Sequence, residues 1–297
     1  MSPVASASDR SAVPQLCGVW HWRAEPPFAG EQGDWLERAA LAGQLAGEQL
    51  HDACATAGFV PETVVVASSI LGPNFTSSSP AVERFVSAVE TYSGHRPRGI
   101  LNAYQCAGWG YALRHLMRHT AVRRVALLLV DVDLHQLDWM LEHPVVGRSG
   151  FGLTSLLFDL PAGAEPPECG GPFANSAYGE LLIALRKRNV ERGAAVPVFM
   201  PFSRPPLYAT AQRVVGQEAL MPNFYEQWGH CFGADPWIGL VRWLNADGAV
   251  DASAGCRVLA GAVGFAGYYT LSDVEVRSDM PRRMAPLSGA RLPTLDA

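Results

Sequence analysis

No window of the sequence approaches the roughly 18 apolar residues of a membrane-spanning helix. Met1 to Gln15, rich in Ser, Ala and Pro, carries no apolar core of signal-peptide length. A cytoplasmic location without a membrane partner is the expectation. The six cysteines (Cys17, Cys54, Cys106, Cys169, Cys231, Cys256) include no Cys-x-x-Cys pair. Reducing surroundings would then leave neither a disulfide framework nor a zinc cage, and no metal site is expected. Runs of Lys or Arg interleaved with aromatics are also missing, and the formal charge is −5, so nucleic acid is excluded as a partner. The most basic stretch, Arg186-Lys187-Arg188 with Arg192 before Gly193, reads as a solvated helix end. What is plentiful is apolar: 48% of 297 residues can bury a large core, in one compact unit or two fused halves.

Gly33 to Gly58 reads as a long helix, because Leu36, Ala39, Ala40, Ala46, Leu50, Ala53 and Cys54 share a face. Thr63 to Ser68 is a β-branched run of the kind buried in a parallel sheet. Helix at Pro80 to Tyr92, strand at Gly99 to Tyr104, helix at Ala107 to Thr120 and the apolar strand Arg124 to Val132 continue the alternation, which predicts α/β layers. Pro161 to Pro172 has no periodicity and reads as a linker between halves at 16–160 and 173–297. In the second half, helices are expected at Tyr178 to Arg192, Leu207 to Gly216 and Asp235 to Leu244, and strands at Arg257 to Ala262 and Leu271 to Val276.

In Ile100-Leu101-Asn102-Ala103-Tyr104-Gln105-Cys106-Ala107-Gly108-Trp109-Gly110, an apolar strand ends on a cysteine that opens a helix. Unpaired N–H groups and the helix dipole there favour the thiolate, and the same turn offers N–H donors to an oxyanion. An isolated cysteine is equally often a small core residue, and spacing alone leaves both readings open. His230, in Trp228-Gly229-His230-Cys231-Phe232-Gly233, sits in a Gly-flanked turn from which an imidazole can reach a cleft; a core histidine satisfied by hydrogen bonds is the alternative. His115 and His119 stand four apart on a helix without a third ligand and read as partly exposed helix residues. His135 and His143, flanking Trp139, read as structural.

Cys106-Ala107-Gly108-Trp109-Gly110-Tyr111-Ala112-Leu113 resembles the nucleophile motif of the type III β-ketoacyl synthases of the thiolase superfamily. Leu45 to Leu50, Ala57 to Ser68, Val125 to Val132, and Arg257-Val258-Leu259-Ala260 with Val263-Gly264-Phe265-Ala266-Gly267 resemble further segments of that family, in matching order. The resemblance covers about Gly33 to Arg277. It implies a thiolase-like fold, two similar α/β halves in an αβαβα arrangement. It also implies a dimer of like chains or a heterodimer with a ketosynthase paralogue.

By the same resemblance Cys106 is the acyl-carrying nucleophile and His230, similar to the Gly-His turn of thiolases, its base. The backbone N–H groups of Cys106 and of the Ala266–Gly267 turn form the oxyanion hole. No permanent cofactor is implied; acyl-CoA or a phosphopantetheinyl carrier protein is the acyl donor. The sequence departs from the family where a His-Gln-Ala-Asn stretch is replaced by Val198 to Pro206, leaving Ser203 in the place of a catalytic imidazole. The Gly-Asp-Gly-Ala turn is altered to Ser149-Gly150-Phe151-Gly152. A decarboxylating relative holds the malonyl thioester carbonyl with two side-chain donors, and losing one weakens that site by ~3 kcal/mol. The expected function is thus acyl transfer through Cys106, with decarboxylating condensation and a non-catalytic subunit as alternatives. Trp109, Tyr111, Tyr268 and Tyr269 are expected to narrow the acyl pocket toward short or planar groups.

Overall fold

A computed structural model describes residues 12–25, 34–71, 80–134, 141–192, 196–246 and 255–287. His135, Trp139, Gly193 and most of the N-terminal stretch lie outside them. The strands β1 (Gln15–Ala24), β2 (Thr63–Ala67), β3 (Pro97–Leu101), β4 (Arg124–Asp131) and β7 (Phe151–Asp159) form one side of a ten-stranded sheet. The other side holds β9 (Val198–Phe199), β10 (Cys256–Gly264) and β11 (Tyr268–Val276). The order is β3-β2-β4-β7-β1-β11-β10-β9, and the sides join where Gln15 of β1 pairs with Glu275 of β11. β12 (Arg282–Pro286) adds to β1. A short two-stranded ladder, β5 (Glu142–His143) with β6 (Gly147–Arg148), lies apart.

The layering follows from period-two burial. Along β4, Ala126, Leu128 and Val130 face one core, shared with α1 (Trp35–Ala57) and α2 (Pro80–Ser93). Val125, Leu127 and Leu129 face a second core. That second core also takes Val258, Ala260, Val274 and Val276 from β10 and β11, and between the two sheet sides lie α3 (Gly108–His119) and α7 (Asp235–Leu244), the latter preceded by the single turn α6 (Tyr225–Trp228). The outer face of β10 and β11, through Leu259 and Leu271, packs on α4 (Ala177–Arg192) and α5 (Pro205–Val215). The order of layers is αβαβα, as the resemblance implied. No helix among the described residues is long and apolar enough to cross a membrane.

Local signals account for the best-defined elements. Asp34 caps α1 by accepting from the Glu37 N–H, and the Glu37 carboxylate accepts from the Asp34 N–H. Gly58 closes the helix in the left-handed region. On the same helix Gly43 and Gly47 let α2 approach: a Cβ at Gly43 would stand 2.3 Å from the Phe85 carbonyl oxygen.

Three sequence readings change. Glu168–Gly170, inside the expected linker, forms strand β8 against Tyr269–Leu271, because an edge of β11 is open there. The strand expected to run to Tyr104 ends at Leu101, where the chain turns into the site. Arg188 is mostly buried: its side chain is 15% exposed, and the guanidinium meets Glu165, Glu168 and the buried Asp273. Strands β1 and β7 were not anticipated.

His21 on β1 is buried, with Nδ1 2.8 Å from the Thr154 hydroxyl. Burial, with some help from the Arg23 charge, pushes its imidazole down to about 3. Below its ordinary value near 6.5 the unfolded chain therefore binds a proton that the folded one refuses, and stability falls as pH drops through that window. At pH 5.5 the cost is on the order of 1 kcal/mol. Urea unfolding of wild type and His21→Gln at pH 5.5 and 7.5 should show a pH-dependent loss larger by that amount in the wild type; equal losses would refute the assignment.

Candidate active site

Cys106 sits in a single 3₁₀ turn, Gln105–Ala107, between β3 and α3. The turn is tight: Gln105 holds φ of 49°, a left-handed backbone that a non-glycine residue adopts at a cost. Cys106 is 1% exposed. His230 is brought to it from the other half of the chain. Gly229, at φ of 73°, turns the backbone against β6, and a Cβ there would stand 2.6 Å from the Arg148 carbonyl oxygen. The His230 N–H donates to that carbonyl at 2.7 Å, and its own carbonyl accepts from the Gly150 N–H at 2.8 Å. The altered Ser149–Gly150 turn is thus the support for the His230 backbone.

The imidazole lies between the thiol and a carboxylate. Nε2 is 3.7 Å from Cys106 Sγ, and Nδ1 is 2.6 Å from Asp235 Oδ2. The second contact is a close ion pair rather than an aligned hydrogen bond, since Nδ1 lacks a partner by hydrogen-bond geometry. Asp235 opens α7 and is fully buried; Oδ1 accepts from the Cys231 N–H at 2.6 Å and Oδ2 from the Phe202 N–H at 2.9 Å. Burial pushes both groups toward neutrality. For His230 the neighbouring carboxylate, and then Cys106, outweigh burial and hold the imidazole well above its ordinary value. Burial also pushes the Asp235 carboxyl up, against the pull of His230 and the two backbone donors. Donors on both of its oxygens place the charge on Asp235 and the proton on His230.

A second polar group reaches the sulfur. Ser69, just beyond β2, directs its hydroxyl to Cys106 Sγ at 3.3 Å. The Ser69 N–H donates to Asp131 Oδ1 at 2.7 Å, and the Ser68 hydroxyl, whose shorter contact is the Val130 carbonyl at 2.6 Å, lies 3.2 Å from the same oxygen. Burial pushes the Asp131 carboxyl up to about 7, with these hydrogen bonds opposing. Of the other cysteines, Cys17, Cys54, Cys169, Cys231 and Cys256 all have thiols pushed up by burial.

The expected oxyanion donors are differently disposed. The Cys106 N–H makes no backbone hydrogen bond among the described residues. The Ala266 N–H donates to the Gln105 side-chain oxygen at 3.0 Å, and the Gly267 N–H to the Gly264 carbonyl at 3.1 Å. Gly264 permits the first contact, since a Cβ there would lie 3.1 Å from the Gln105 side-chain oxygen. A carbonyl oxygen entering at Ala266 must displace that carboxamide.

A cavity of about 440 Å³ opens on His230, walled by Tyr178, Phe202, Ser203 and the Val263–Gly267 turn. The Ser203 hydroxyl is buried there with no hydrogen-bond partner of acceptable geometry among the described residues. Trp109, Tyr111, Tyr268 and Tyr269 do not line this cavity. Trp109 packs edge-on against Trp237 in the central core, and Tyr111 stacks on Tyr104 beside a separate, larger hollow of about 820 Å³ at the β3 edge. That hollow touches neither Cys106 nor His230. His115 and His119 are exposed on α3 with rings 5.1 Å apart, and no metal-binding cluster occurs among the described residues.

Asp235, Ser69, Asp131 and Gln105 escaped the sequence reading. Only Asp235 left a trace, in Gly233-Ala234-Asp235-Pro236, where an acid before Pro reads as a helix start; its carboxylate instead turns back to the preceding loop.

No family model matches the chain, and no curated protein matches it in sequence. Solved structures do match. The priming β-ketosynthase of the R1128 polyketide biosynthetic pathway is similar over 92% of this chain and 99% of its own, with TM-score 0.61 and 14% identity. The 3-oxoacyl-(acyl carrier protein) synthase III of Pseudomonas aeruginosa PAO1 is similar over 90% and 99%, with TM-score 0.60 and 16% identity. ChlB3, an acyltransferase, is similar over 88% and 97%, with TM-score 0.60 and 13% identity. The chain thus has a thiolase-like fold, similar to that of these type III synthases.

Proposed function

We propose that the chain is an acyltransferase that takes an acyl group from acyl-CoA or an acyl-carrier protein onto Cys106 and passes it to a hydroxyl or amine. The observation that carries this reading is the linear set Cys106–His230–Asp235. An imidazole backed by a buried carboxylate accepts the thiol proton on one side while its cation is stabilised on the other. Attack on the donor thioester forms the Cys106 Sγ–acyl bond, and His230 returns its proton to the departing thiol. The Cys106 N–H serves the oxyanion, joined by the Ala266 N–H once Gln105 moves aside.

In the second half-reaction His230 takes the proton of the acceptor. A hydroxyl or amine needs such a base. An enolate formed by loss of CO2 needs instead two donors on the malonyl carbonyl, and Ser203 stands where the second imidazole would be. The fold is shared by ketosynthases and by ChlB3, an acyltransferase, so it accommodates this division. The β3 edge, which ends the sheet among the described residues and lies beside the larger hollow, is the surface for a second copy or a paralogue.

Incubation with a series of acyl-CoA and acyl-carrier donors is expected to add the acyl mass to the Cys106 peptide, with no adduct in Cys106→Ala. Discharge of that adduct by alcohols or amines is expected without CO2 release. Formation of a β-keto product and CO2 from a malonyl thioester would show condensation instead. An unmodified Cys106 with every donor would mark a non-catalytic subunit.

A further inference from the structure

We infer that Ser69 is a catalytic residue of the same site, its hydroxyl donating to the Cys106 sulfur whenever that sulfur is anionic; this rests on Cys106 being the nucleophile. The geometry singles it out. Besides His230, Ser69 is the side chain within hydrogen-bond reach of Sγ among the described residues, at 3.3 Å. Its backbone is fixed by neighbours that have no other access to the sulfur. The Ser69 N–H is held by Asp131, and Ser68 is pinned by its hydroxyl to the Val130 carbonyl at 2.6 Å and by its N–H to Leu101 at 3.0 Å. The Ser68 hydroxyl also accepts from the Ile70 and Leu71 N–H groups, which closes the turn around Ser69.

The placement suits both half-reactions. His230 can hold the proton on one flank of the sulfur, but once it has passed that proton on it no longer donates to Sγ. When the acyl group leaves, the bond between Sγ and the acyl carbon breaks and its electron pair returns to sulfur, while the proton of the acceptor goes to His230 Nε2. At that moment the Ser69 O–H donates to the nascent thiolate beside the newly protonated His230, and unlike His230 it has a proton to offer before the acceptor's has been transferred. A hydrogen bond to a charged group of this kind is worth about tenfold or more in rate. Ser69 thereby makes Cys106 a better leaving group as well as a better nucleophile. The ionisable groups around the sulfur are His230, with Asp235 behind it, and Asp131 behind Ser69.

The test compares carbamidomethylation of Cys106 by iodoacetamide, followed by mass of its peptide, in wild type, Ser69→Ala and Ser69→Thr at pH 6 and pH 9. In the wild type, alkylation at pH 6 is expected to remain a substantial fraction of that at pH 9. Ser69→Ala should lower the pH 6 to pH 9 ratio about tenfold, and Ser69→Thr, which keeps the hydroxyl, should restore most of it. Loss of one hydroxyl from a half-buried turn leaves the fold in place, which urea unfolding checks. A wild type whose Cys106 is inert at pH 6 would refute both this role and the nucleophile reading. A reactive wild type matched by Ser69→Ala would refute the role of Ser69 alone.

Discussion

Asp235→Asn is expected to slow acyl transfer by about 10³- to 10⁴-fold in a protein that still folds, the loss seen when the acid of such a triad becomes an amide. The carboxylate accepts two backbone donors, Cys231 N–H on one oxygen and Phe202 N–H on the other, and the second oxygen also lies 2.6 Å from His230 Nδ1. An amide has one acceptor oxygen. If its NH2 faces His230, the imidazole must accept at Nδ1 and keep its proton at Nε2, where it cannot take the one from Cys106. If the amide is reversed, its NH2 meets the Cys231 N–H. Either orientation opposes two donors, at roughly 1–3 kcal/mol, so urea unfolding must accompany the kinetics. The mechanistic readout is the His230 ring titration by NMR. Without the carboxylate, burial dominates and the ring loses its proton at lower pH than in the wild type. A folded Asp235→Asn variant with transfer within tenfold of wild type would exclude Asp235 from the mechanism.

The largest effect on stability is expected at Gly110. A Cβ there would stand 1.8 Å from the Thr270 hydroxyl oxygen, 2.6 Å from its Cβ and 2.8 Å from its Cγ2. Thr270 is fully buried on β11 and short, so no flexible end can swing away; its backbone is fixed opposite Ala262. Alanine in place of glycine would favour the helix by about 1 kcal/mol, but α3 must move away from β11. A net loss of about 3 kcal/mol in urea unfolding is expected for Gly110→Ala, with partial recovery in the double variant with Thr270→Ala. Because α3 begins two residues after Cys106, the same shift should separate sulfur and imidazole and reduce alkylation at pH 6. Wild-type stability in Gly110→Ala would contradict the packing described.

Elements with a strong local pattern were legible in the sequence. The face of α1, the buried runs of β2 and β4 and the helices α2, α3 and α7 follow from periodicity and capping, which act over a few residues. β1 and β7 were missed because Gly18 and His21 in one, and Gly152, Thr154 and Ser155 in the other, interrupt their apolar runs, and β8 because three residues between Pro and Gly carry no period. At the site, the sequence by itself determined which thiol and which imidazole to consider. Cys106 and His230 stand in turns whose glycines and neighbours mark them.

What surrounds them was decided only by the tertiary structure. Asp235 is five residues from His230, but its carboxylate could have capped its own helix; the buried N–H groups of Phe202 and Cys231 turn it toward the ring. Ser69 is 37 residues before Cys106 and meets it because β2 and β3 are parallel neighbours that end at the same level. Gln105 reaches Ala266 across 161 residues. Such contacts depend on where strands from two halves of the chain finish. Local propensity does not encode that register, whereas packing of the shared central core does.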